Sequence, residues 1–245
     1  MSALSTLFPI AFALGLALVH LFAGRLTFLD VIPRSRWLSL SGGSAVAYVF
    51  VHILPEIQSA GTDIDQTASL LVRFEHHVYL IALLGFTGFY GIEQYVRKAK
   101  ARSEDEGGDA EAHGVFWVHI GTFTLYNVLI GYLLLHREES GVASLAIFFV
   151  AMALHFFVND YGLREYHGSA YRRYGRWALA AAVFAGLGLG YVVEVSELLL
   201  AVLFALLAGG IVLNVIKEEL PAERKSRFWA FLAGVVGYTA LLLSI

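Results

Sequence analysis

The sequence predicts an all-helical integral membrane protein of eight spans, on three observations. Hydrophobic residues fill 58% of the 245 positions and charged residues only 15%, too apolar for a water-soluble domain of this length. Apolar stretches of about 20 residues, enough for a helix to cross roughly 30 Å of hydrocarbon, recur along the chain. Basic residues gather in alternate connections between these stretches, as the positive-inside rule requires. The 24 glycines and 4 prolines suit close-packed membrane helices rather than proline-rich loops.

The spans lie near 5–24, 37–57, 76–96, 115–135, 142–163, 177–195, 197–216 and 228–245. The first begins MSALSTLFPI, without the basic region of a signal peptide, and is expected to be a retained span. The second ends in HILPE and the third opens on Glu75, His76 and His77. The fourth and fifth carry YNVLIG (126–131) and MALHFFVND (152–160), the most polar runs inside apolar sequence. Only the polar step from Glu194 to Glu197 separates the sixth from the seventh; one helix covering both would be too long for a bilayer. Trp37, Trp177 and Trp229, near span ends, read as interfacial anchors.

Both termini outside places four connections in the cytoplasm: Arg25, Arg34 and Arg36; Arg97, Lys98, Lys100 and Arg102; Arg164, Arg172, Arg173 and Arg176; Lys217, Arg224, Lys225 and Arg227. These are 15 of the 17 basic residues, with only Arg73 and Arg137 on the other side. The protein is therefore expected to be a single multi-pass domain of the cell membrane, residues 1–245, with extracytoplasmic termini. Residues 97–114, basic then acidic, are expected to form a flexible cytoplasmic loop.

GSAVAYVFVHILP (43–55) aligns with GGIVLNVIKEELP (209–221): glycine at the start, Leu-Pro at the end, and His52 opposite Glu218. The two segments run in opposite directions in this topology. An inverted repeat of spans 1–3 and 6–8 flanking spans 4–5 is the pattern of many secondary transporters. Glycines at 186, 188 and 190, and the pairs 42/43 and 209/210, are expected to let helices approach closely.

HILPE closing span two, AGG and KEELPAE in span seven, and a polar loop between spans three and four together resemble the ZIP family of divalent metal transporters. The resemblance covers nearly the whole chain in layout and implies transport of a divalent cation, zinc first, by alternating access. That family carries a pattern like HNxxDG in span four and HExPHE in span five, forming a metal site. By that resemblance Tyr126 stands for a histidine, Asn127 and Gly131 are kept, and Ile130 replaces an acid. His155 is kept, while Phe156, Val158, Asn159 and Asp160 replace glutamate, proline, histidine and glutamate. The resemblance thus implies a reduced site of His155, Asn159 and Asn127, bordered by Asp160 and Tyr126.

Helical geometry agrees in part. His155 and Asn159 are four apart and share a face, with Asp160 turned about 100° further. Intramembrane ionisable groups are costly and line pathways or pair with one another. Asp160 could instead form an ion pair with Arg164, one turn on. His52 and Glu56, also four apart, could form an entry site, and Glu75, His76 and His77 could widen it. His119, a heptad before Tyr126, could serve as an exit ligand. His20, His113, His136 and His167 sit at span ends or in loops, where solvation accounts for them.

Without cysteine, any metal must be held by nitrogen and oxygen atoms. The expected partners are the lipid bilayer and a divalent metal ion, zinc before others; a homodimer is compatible, nucleic acid is not expected, and no further cofactor is implied. Two other readings remain: a transport-dead relative acting as sensor or partner subunit, and a zinc-dependent intramembrane hydrolase using His52, His119 and His155. The absence of a serine or aspartate motif at a telling spacing leaves a non-enzyme as the expectation.

Overall fold

The computed structural model describes residues 3–23, 34–55, 77–106, 109–136, 141–219 and 227–244. All the regular structure among them is helical: α1 (Ala3–Phe22), α2 (Arg34–Tyr48), α3 (His77–Glu106), α4 (Asp109–Leu133), α5 (Val142–Ala170), α6 (Arg176–Val192), α7 (Glu197–Glu219) and α8 (Phe228–Leu242). A π-helical turn, Val49–Ile53, extends α2, and another, Tyr171–Gly175, joins α5 to α6. Counting α5 and α6 as one broken helix leaves seven among the described residues.

Among the described residues, three stretches are long and apolar enough to cross a membrane, Gly114–Leu133, Val142–Val192 and Leu199–Lys217, and two apolar helices are shorter, Leu7–Phe22 and Phe228–Leu242. These lengths and compositions suggest a multi-pass membrane protein. Its outer surface agrees: Leu84, Leu125, Val192 and Trp229 are all well exposed, as side chains facing lipid would be.

Two connections differ from the sequence reading. Much of 97–114, expected as a flexible loop, is helix, since α3 continues to Glu106 and α4 begins at Asp109. Likewise α5 does not stop near residue 163 but runs on to Ala170. Its break is at Gly168, whose φ of 53° lies in the left-handed region that glycine enters without steric cost. The break matters for the interior, because it turns the following segment back toward α5.

The helices pack in pairs: α2 on α8, α4 on α6, α3 on α7, with α1 against α5 and α6. Three of these pairs meet through one repeated device. A Cβ added to Gly43 would lie 2.2 Å from the Phe231 carbonyl oxygen, and one on Gly234 would lie 2.1 Å from that of Leu40. Gly209 and Gly85 face the carbonyls of Ala82 and Leu206 at 1.9 and 2.4 Å. Gly186 and Gly131 face those of Val128 and Val183 at 1.9 and 2.1 Å. In each case the carbonyl belongs to the residue three positions before the partner glycine. Backbone thus rests on backbone, which only a missing side chain permits. Gly188, expected to join in, has nothing within 4 Å of its Cβ position, and Gly190 meets the Leu135 side chain instead.

Candidate functional site

Three polar networks lie within the helices, and each draws on more than one element. The first centres on His155, which is wholly buried in α5. Tyr126 of α4 and Asn159, one turn along α5, each direct a donor at its Nε2 from 3.0 Å. Nε2 is therefore an unprotonated acceptor and the ring proton lies on Nδ1, which has no hydrogen-bond partner. The arrangement leaves the lone pair that could bind a metal facing a phenol and an amide. Turning the Asn159 amide over would present its oxygen at the same point.

The second network takes the neighbouring residue of each helix. Asn127 donates its amide to the Phe123 carbonyl oxygen at 2.7 Å, so its Oδ1 is left to accept. His20 of α1 donates to that oxygen from Nε2 at 2.8 Å, while its Nδ1 lies 2.9 and 3.0 Å from the two carboxylate oxygens of Asp160. Tyr171 also donates to Asp160 through its hydroxyl. In an unbroken α-helix, residues 160 and 171 would be about 16 Å apart along the axis, too far for this contact. The turn at Gly168 brings them together. His20, Asn127 and Asp160 are 2%, 1% and 2% exposed, so the carboxylate is satisfied entirely by protein.

The third network lies toward the far end of α4. Glu93 of α3 accepts from Lys217 of α7 at 3.1 Å and from Arg97 at 3.3 Å. His119 Nε2 lies 3.3 Å from the same Glu93 carboxylate, and His119 Nδ1 is 2.9 Å from Nε2 of His167. These contacts tie α3, α4, α5 and α7 together. Because the two histidine contacts leave opposite edges of the His119 ring, the group forms a chain and does not converge on a point. An ammonium already rests on its acid.

The sequence-predicted site is thus divided. His155, Asn159 and Tyr126 come together; Asn127 and Asp160, expected beside them, belong to the network of His20 instead. The alternative pairing of Asp160 with Arg164 is not formed: Arg164 lies over the Tyr161 ring, 5.8 Å from its centroid. His119 is bonded to His167 through Nδ1, and its Nε2, without a hydrogen-bond partner, lies 3.3 Å from the Glu93 carboxylate. His52 stacks near Tyr48 with ring centroids 5.0 Å apart, while its expected partner Glu56, and Glu75 and His76, lie outside the described residues. The histidines that a hydrolase would need, 52, 119 and 155, sit in separate surroundings. Among the described residues, no three His, Asp or Glu side chains are placed together to hold a metal ion.

Sequence reasoning missed His20, Glu93, His167 and Tyr171. His20 and His167 had been assigned to solvated span ends; His20 is buried, and His167 is half-buried and bonded to His119. Glu93 was legible as an acid inside the third apolar stretch, and that signal would have found the third network. Nothing local to the sequence pairs His20 with Asp160, 140 residues away.

No protein-family model matches the chain, and no curated protein matches it.

Proposed function

We propose that this chain is a ZIP-like transporter of a divalent cation, zinc or a similar first-row ion, working by alternating access. The ion passes between α4 and α5, where His155 Nε2 and the oxygens of Tyr126 and Asn159 hold it. Eight spans, arranged as an inverted repeat of spans 1–3 and 6–8 around spans 4–5, form the scaffold. The observation that carries the reading is the meeting of buried polar residues of α4 and α5, Tyr126 with His155 and Asn159, with the next residue of each helix, Asn127 and Asp160, bridged by His20. Such residues are costly in a membrane and tend to line pathways.

Support for the repeat comes from the glycines. Aligning 43 with 209 maps α2 onto α7, and an inverted repeat then maps α8 onto α3. The α2–α8 and α7–α3 pairs use the same reciprocal glycine-to-carbonyl contact. The transport-dead reading is favoured by a different observation, the complete internal satisfaction of Asp160.

Bound metal tests the ion site on which the transport reading rests. Elemental analysis of purified protein is expected to find zinc in the wild type and at least tenfold less in His155→Ala. Equal metal in both would remove His155 from any ion site. Topology is tested separately on a chain with no native cysteine. Cysteines at the exposed positions Arg102 and Glu194 are expected to react with impermeant reagents from opposite sides of the membrane. Reaction from the same side would overturn the eight-span arrangement.

A further inference from the structure

The place between Asp160 and Asn127 where a cation would be attracted is filled by a side chain. Both carboxylate oxygens of Asp160 lie within 3.0 Å of His20 Nδ1, and the Asn127 carbonyl oxygen lies 2.8 Å from Nε2. The ring packs against Phe156, with centroids 4.3 Å apart and planes tilted by 34°. Its two N–H directions thus do for these oxygens what a bound ion would do. The acceptors come from α4 and α5, but the occupant comes from a third helix, α1.

Beside α1 there is room. An apolar groove of about 520 Å3, open to the outer surface, lies between α1, α2 and α5, lined by Val19 and Phe22 on either side of His20 in sequence, and by Trp37, Ser41, Leu154 and Phe157. The glycine contacts hold α2 against α8, α3 against α7 and α4 against α6. Of the helices that build the polar networks, α1 and α5 border this space, and α1 is the one that carries His20.

We propose that His20 is a tethered occupant of a cation site and that α1 is its gate: a divalent cation reaches Asp160 only when α1 withdraws His20 from between Asp160 and Asn127. The vacated site offers a carboxylate, an amide carbonyl and the Tyr171 hydroxyl. That all-oxygen set suits a harder divalent ion such as manganese or magnesium, in contrast to the imidazole lone pair of His155. The inference rests on the transport reading, with which it shares α4 and α5, but it assigns a separate site with its own ligands and adds a regulating element.

The test uses the full-length protein and Mn2+ as probe, with binding followed by electron paramagnetic resonance. His20→Ala is expected to bind one Mn2+ more than the wild type, at least tenfold more tightly than any site the wild type shows, and His20→Ala/Asp160→Asn is expected to lose it. No gain in His20→Ala, or a gain that survives Asp160→Asn, overturns the proposal. Should His20→Ala fail to fold, His20→Gln gives the same comparison, since the two N–H groups of one amide nitrogen do not point to opposite sides of the slot as the two ring nitrogens do. Free imidazole supplies a further arm with His20→Gly. Stabilisation by either imidazole or Mn2+, each excluding the other, supports a shared slot; stabilisation by imidazole alone means that His20 only completes a structural network. These arms do not involve His155, so the metal content of wild type and His155→Ala fails or holds independently of them.

Discussion

Replacing Asp160 with leucine is expected to destabilise the protein by about 3–5 kcal/mol, the usual cost of removing one member of a buried charged pair. His20 would then keep an Nδ1 with no acceptor in an interior closed to water, and Tyr171 would lose the group that holds the segment after Gly168. His20→Leu should cost a similar amount by stranding the carboxylate. The double change His20→Leu/Asp160→Leu should recover much of the loss, because two matched apolar groups leave nothing buried and unsatisfied. Reversible unfolding in mixed micelles measures all three. Strict additivity of the two single effects would mean that His20 and Asp160 do not act on one another. Arg164→Gln, which leaves this network intact, is expected to change stability by less than about 0.5 kcal/mol.

Gly186→Val should cost about 3 kcal/mol or more, because its Cβ would enter the backbone of α4 at Val128, 1.9 Å from the carbonyl oxygen, and no rotamer can relieve a backbone clash. Gly188→Val, two residues on and with no atom within 4 Å, should be tolerated. Gly43→Val and Gly209→Val should resemble Gly186→Val, separating α2 from α8 and α7 from α3. The recovery of monodisperse protein and its Tm report the difference. Equal behaviour at 186 and 188 would show that α4 and α6 do not pack through this contact.

The histidines show where reading the sequence succeeds and where it stops. His155 and Asn159 are one turn apart on a helix whose existence follows from its own residues, and the structure joins them at 3.0 Å. Asp160 was expected to border the same site from a position turned about 100° further round the helix. Instead the 100° step to the next residue carries it to a different face, where α1 supplies His20. His119 shares the periodicity of Tyr126, but its partners come from α3 and from α5 beyond residue 163. The expected loop at 97–114 failed for a related reason. Its charged residues remove it from lipid but leave its helical propensity intact, so α3 and α4 extend through most of it.

What the sequence by itself determined is that the chain is helical with several apolar helices, the short break before α7 and the i, i+4 neighbours within a helix. These depend on apolar length, composition and the 3.6-residue period, which are properties of contiguous residues. Only the tertiary structure decided which helices pair, which of three adjacent glycines touches backbone, and which acceptors His20 meets. Those outcomes depend on groups more than a hundred residues apart competing for the same buried hydrogen bonds. Within a bilayer a buried polar group takes its partner from whichever helix the packing brings against it.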